Sequence, residues 1–175
     1  MVLEQPLHQV SHSLAETQRL GRELGGLLEP GDFVALIGEL GAGKTAFAGG
    51  LGAGLKVEEP LRSPSYLLCC EHLGRHRILH LDAYFEARMA SLLAEGLPDR
   101  FRDAVVVVEW ADRCAWAWPE DRLQITLTQG SRADERHVMA SAWGPRSARL
   151  LKAWLGQEQN AELPPAAEPG RPEAR

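Results

Sequence analysis

Residues 38–45 read G-E-L-G-A-G-K-T, and no other stretch narrows the fold of this chain so far. The string fits G-x-x-x-x-G-K-[ST], a pattern that means something only when a strand precedes it and a helix follows. Both flanks are present. Glu29-Pro30-Gly31-Asp32 breaks what comes before, and Phe33 to Ile37 is a continuous apolar run of the kind a strand buried on both faces requires. Beyond Lys44, the apolar residues Phe47, Leu51 and Leu55 recur four apart, which predicts a helix over 44–55 whose first turn faces whatever the glycine turn holds. Glycines let successive backbone N–H groups turn inward around phosphate oxygens, and the helix N-terminus adds its positive end. Lys44 then reaches the β and γ phosphates and Thr45 offers a hydroxyl to Mg²⁺, so the turn predicts a nucleoside triphosphate site.

The rest of the pattern builds a sheet around that turn. Ser13 and Glu16 have capping-box spacing and Leu20, Leu24, Leu27 and Leu28 follow at helical intervals, predicting a first helix over about 14–28. Residues 66–70 and 77–81 read as strands around Gly74, 87–93 as a short helix, and Ala104 to Val108 as a second central strand. Leu123, Ile125 and Leu127, then Val138, Ala140 and Ala142, alternate with polar residues as half-solvated antiparallel strands do. Leu150 to Leu155 closes the domain as a helix. The expected fold is therefore α/β and P-loop NTPase-like: a central, mostly parallel sheet with added antiparallel strands and helices on both faces. One domain over 1–155 is expected, followed by a disordered tail over 156–175, where GQEQNAELPPAAEPGRPEAR has almost no large apolar residue. The N-terminus has neither a charged n-region nor an apolar h-region and no apolar run is long enough to span a bilayer, so a cytoplasmic protein without membrane contact is expected. Cys69, Cys70 and Cys114 read as reduced thiols, mostly in the core. A formal charge of -5 argues against a broad nucleic-acid-binding face.

A hydroxyl and phosphates leave the charge of Mg²⁺ incompletely met, so a carboxylate belongs nearby. Asp82 and Glu109 each end a predicted central strand, at the edge where open α/β sheets bind ligands. Trp110, directly after Glu109, reads either as packing or as a wall over the nucleotide. Trp116 and Trp118 are expected to pack a loop against the sheet, and His80 to be a satisfied histidine at the edge of the core. Ser63-Pro64-Ser65-Tyr66 reads alone as an ordinary turn.

Taken together and in order, G-E-L-G-A-G-K-T, S-P-S-Y, H-L-D-A-Y and V-V-E-W resemble the bacterial TsaE (YjeE) family of small P-loop ATPases, from the first helix to about Trp143. The resemblance implies ATP and Mg²⁺ as cofactors and a part in making N6-threonylcarbamoyladenosine at position 37 of tRNA. It implies as partners a threonylcarbamoyl transferase (TsaD-like) and its paralogue (TsaB-like), with tRNA engaged indirectly through that complex, which ATP hydrolysis resets. By position, it assigns the nucleotide to Glu39, Leu40, Gly41, Ala42, Gly43, Lys44, Thr45 and Ala46, with Trp110 beside it. Mg²⁺ goes to Thr45 and Glu109, and the catalytic set is Lys44, Asp82 and Glu109. Ser13 and Thr17 fall where family members approach the base and ribose, Arg136 on an arginine near the nucleotide, and Ser63 to Tyr66 on a switch-like loop. The chain departs from the family at Ala46, where a second Thr is usual, at Ser65, which replaces Thr, and at Phe85, where many members carry Arg. A small-molecule or nucleotide kinase and a nucleotide-gated binding module are the competing classes; a kinase of this fold needs an Arg-rich lid, and the span between Leu81 and Val105 offers Arg88, Arg100 and Arg102 without a glycine-bounded loop.

Overall fold

The computed structural model describes residues 6–64 and 67–161, with side chains as far as 156. The order of elements is β1 (Leu7–Ser11), α1 (Leu14–Gly25), β2 (Phe33–Ile37), α2 (Lys44–Gly54), β3 (Cys69–Leu73), β4 (Arg77–Asp82), α3 (Glu86–Ala94), β5 (Val105–Glu109), β6 (Leu123–Gln129), β7 (Arg136–Ala142) and α4 (Pro145–Ala161), with 3₁₀ stretches at Leu97–Asp103 and Ala111–Ala117. Seven strands form one sheet in the order β1-β7-β6-β2-β5-β4-β3. The central strands β6, β2, β5 and β4 run parallel, and β1, β7 and β3 add antiparallel edges. The valine run of β5 lies between β2 and β4 and is buried along its whole length, as its composition demands.

Helices cover both faces. On one, Leu20, Leu24, Phe47, Leu51, Leu151 and Trp154 from α1, α2 and α4 pack onto Val34, Leu36, Val105, Val107 and Ile125. On the other, Met89, Leu93, Phe101, Cys114 and Trp118 pack onto Phe33, Ala35, Leu79, Val106 and Val108. The two helices nearest the glycine turn touch backbone to backbone. A Cβ placed on Gly21 of α1 would lie 2.3 Å from the Phe47 carbonyl oxygen, and one on Gly50 of α2 would lie 2.2 Å from that of Gln18.

Several expectations need correction. β1 gave no sequence signal, because an edge strand of five residues paired only to β7 carries little periodicity. α1 ends at Gly25, Leu27 lies in the turn that follows, and Leu28, beyond the turn, stays fully buried. β3 begins at Cys69, and Ser65 and Tyr66 lie outside the described residues. α4 starts at Pro145 and runs past residue 156 to Ala161; Pro suits a first helical position, and Asp121 accepts from the N–H groups of Arg146 (2.8 Å) and Ser147 (2.9 Å). The remainder of the tail, 162–175, lies outside the described residues. Trp118 packs as expected, its Nε1 donating to the Ala111 carbonyl, but Trp116 is 67% exposed. All three cysteines are free, with Cys114 buried and the other two half-buried. Among the described residues, no helix is long and apolar enough to cross a membrane.

Candidate nucleotide site

The turn between β2 and α2 takes its shape from backbone that only glycine adopts freely: Gly41 has φ 78° and Gly43 φ 104°. Gly43 is the N-cap of α2 and makes no side-chain cap, so the first N–H groups of the helix are left for a ligand. That cradle fits a polyphosphate. Lys44 is buried; its Nζ donates to the carbonyls of Gly38 (2.6 Å) and Glu39 (2.9 Å) and stands 3.5 Å from the centre of the Trp110 ring. Burial pulls the Lys44 ammonium below its ordinary range, against the opposing pull of Glu109, Asp112, Asp82 and Glu39. An anion beside it relieves that desolvation.

Parallel pairing of β4 with β5 sets Asp82 and Glu109 side by side at the ends of their strands. Both are buried. Thr45 Oγ1 donates to Glu109 Oε2 at 2.7 Å, and His80 Nε2 lies 3.0 Å from Glu109 Oε1. His80 is wholly buried, and its Nδ1 has no hydrogen-bond partner among the described residues. A hydroxyl beside a carboxylate is a hard-oxygen pair suited to Mg²⁺, and no cluster of three or more His, Cys, Asp or Glu among the described residues forms a cage of its own. Asp82 is engaged elsewhere: Ser63 Oγ donates to its Oδ2 (2.9 Å) and the Tyr84 N–H to its Oδ1 (3.0 Å). The acid is thereby tied to the loop that leads into residues 65 and 66.

Trp110 is a wall of the site. It adopts a left-handed backbone (φ 56°) that bulky residues rarely take, and its ring lies against Lys44 and edge-on to Tyr84 at 5.0 Å. Leu40, at the crest of the turn, is 82% exposed, and Ala46 is half-buried after Thr45. Ser13 caps α1, accepting from the Glu16 N–H, but the Glu16 carboxylate accepts from the N–H of His12 rather than of Ser13, so only half of the expected capping box forms. Thr17 is buried, with its hydroxyl 2.8 Å from that of Ser11, and so locks the β1–α1 junction. The junction lies near the phosphate turn because Ser11 pairs with Arg136, whose Nη2 donates to the Gly41 carbonyl at 3.1 Å. Two residues that pattern alone did not single out complete the surroundings: Arg113, stacked on Tyr84 and Trp110, and Tyr84 itself. A 3₁₀ turn starting at Ala111 sets 113 one turn past Trp110, which was the available signal.

With this geometry in place, residues 11–138 match the sequence model of the family described as threonylcarbamoyl adenosine biosynthesis protein TsaE. The chain belongs to the TsaE family. The tRNA threonylcarbamoyladenosine biosynthesis protein TsaE of Streptomyces coelicolor is 40% identical over 141 residues, covering 75% of this chain and 93% of that protein. Its namesake in Bacillus subtilis is 34% identical over 140 residues, covering 78% and 86%. The crystal structure of Bacillus subtilis YdiB superposes with a TM-score of 0.78 at 28% identity, over 90% of this chain and 98% of that one. Membership of the TsaE family places the chain in the biosynthesis of threonylcarbamoyladenosine in tRNA.

Proposed function

We propose that this TsaE-family chain is a cytoplasmic, Mg²⁺-dependent ATPase that acts on a threonylcarbamoyl transferase and its paralogous partner during modification of adenosine 37, meeting tRNA only through that complex. The observation that carries the reading is the conjunction, at one sheet edge, of an uncapped glycine cradle, the buried Lys44 and the Thr45–Glu109 pair. The cradle N–H groups and Lys44 bind the phosphates. Thr45 and Glu109 hold Mg²⁺, which when bound supplies charge neutralisation of the phosphate oxygens. Asp82 orients the attacking water, and Trp110 shields the reacting end from bulk solvent. Ser63, bonded to Asp82, links that acid to the neighbouring loop, so a partner that moves the loop changes the position of the acid.

A kinase would need a cationic lid. In the span where one belongs, Arg100 engages Glu71, Arg102 lies beside Asp103 and Arg88 lies over Phe85. The deciding experiment measures phosphate release by the purified chain, alone and with the transferase pair, using Lys44→Ala as the control. A marked rise on adding the pair, absent in the variant, is expected. Phosphoryl transfer to a nucleoside, or equal turnover with and without the pair, refutes the reading.

A further inference from the structure

Spreading negative charge over a transferring phosphoryl group calls for a cation beyond the lysine of the phosphate turn. Arg136 stands near enough, but its guanidinium is largely spent on backbone. Nη1 donates to the carbonyls of Ala133 (2.8 Å) and Glu135 (2.7 Å), and Nη2 to that of Gly41. It braces the turn from outside.

Arg113 is placed differently. Its Cζ lies 5.5 Å from the centre of the Tyr84 ring and 5.7 Å from that of Trp110, the same indole that Lys44 Nζ approaches to 3.5 Å. With Tyr84 and Trp110 it lines a cavity of about 430 Å³ that also takes in Glu39 of the phosphate turn and Asp82. The backbone N–H of Arg113 donates to the Trp110 carbonyl at 3.0 Å, which fixes the stem one turn beyond the indole. Among the described residues, no carboxylate or carbonyl accepts from the guanidinium, whose contacts are with rings alone. Aromatic stacking thus holds the cation in place while its N–H donors stay uncommitted.

The geometry points to Arg113 as a catalytic residue of the ATP hydrolysis proposed above, donating to the γ-phosphoryl oxygens as charge develops on them. The inference rests on that ATPase reading. In the step, a bond forms between the water oxygen and the γ-phosphorus, and the bond from phosphorus to the β–γ bridging oxygen breaks with its electron pair left on ADP. Of the two water protons, one stays on the released phosphate and the other passes to solvent. The guanidinium keeps its protons throughout and acts through its charge and its planar fork. Because the side chain is exposed, water competes for the same donors until a partner covers the cavity.

The test uses the full chain with Arg113→Met, which keeps an apolar stem against the rings, and Arg113→Lys, which keeps charge without the fork. For Arg113→Met, kcat for phosphate release in the presence of the transferase pair falls by at least about tenfold with KM within about twofold. Affinity for Mg-ADP with aluminium fluoride falls at least about tenfold while affinity for Mg-ADP alone is kept. Arg113→Lys recovers part of each loss. An Arg113→Met protein with unchanged kcat, beside an active wild type, overturns the assignment and leaves the ATPase reading standing. So do equal losses of affinity for ADP and for ADP with fluoroaluminate, which make Arg113 a ground-state contact. A wild type that releases no phosphate with or without the pair overturns both.

Discussion

Two neighbouring glycines of α2 are expected to respond to the same substitution with opposite signs. A Cβ on Gly50 would sit 2.2 Å from the Gln18 carbonyl oxygen and 3.0 Å from the Gly21 Cα, while one on Gly49 would find nothing nearer than the Leu61 carbonyl oxygen at 3.7 Å. Both obstacles at Gly50 are backbone, so no rotamer can yield. Reaching an ordinary contact means opening the α1–α2 interface by about 1 Å. Overpacking of that kind costs about 3 kcal/mol, and replacing a helical glycine by alanine returns about 1 kcal/mol, so Gly50→Ala loses about 2 kcal/mol net. For a chain of this length the loss lowers Tm by about 4–8 °C. Gly49→Ala keeps the helix gain without the clash and raises Tm by about 2–4 °C. Thermal unfolding followed by circular dichroism checks both. Since α2 begins at Lys44, a displaced helix also carries the phosphate turn with it, and titration with Mg-ADP is expected to show weaker binding for Gly50→Ala only. A Gly50→Ala protein as stable as wild type, or two shifts of the same sign, refutes the close backbone contact.

Glu109→Gln raises the Mg²⁺ concentration needed for half-maximal hydrolysis, because it takes charge from the ion's surroundings, whereas Asp82→Asn lowers kcat and leaves Mg-ATP affinity within about twofold. Mg²⁺ titrations of both variants check this, and the reverse outcome exchanges the two roles. His80→Leu removes the buried partner of the Glu109 carboxylate and lowers Mg²⁺ affinity by about 10–100-fold, with Mg-free ADP binding unchanged in isothermal titration. Burial alone pushes the Asp121 carboxyl up, but the N–H donors of Ser147 and Arg146 outweigh it and hold the group below its ordinary range. Asp121→Ala is therefore expected to cost about 1 kcal/mol near neutral pH. The stabilisation is complete above the unfolded value of about 3.9 and is lost as pH falls through the lower folded one, so urea melts of variant and wild type converge in acid.

Of the nucleotide site, the strand–turn–helix unit was legible in the chain itself. Its constraints are local: positive φ at Gly41 and Gly43, an apolar run for β2, and four-residue spacing along α2 all act between residues close in sequence. Asp82 and Glu109 were legible for the same reason, as acids at the ends of apolar runs. The family of the chain likewise followed from short motifs in order. What β4 and β5 do with those acids was not legible, because parallel pairing across separate strands sets Asp82 beside Glu109, and folding alone brings Thr45 and His80 to the same carboxylate. The resemblance to the family implied an arginine near the nucleotide at Arg136, and only its contacts with three backbone carbonyls reveal a brace. The pattern passed over Arg113, whose meaning comes from two rings, one of them on a different strand end and nearly thirty residues away. The same holds for Gly21 and Gly50, ordinary helix interruptions until α1 and α2 meet. Backbone conformation and burial period are written in neighbouring residues, so the sequence determines them; the partners of a charge, and the room beside a Cα, belong to contacts between distant segments and exist only once the chain has closed.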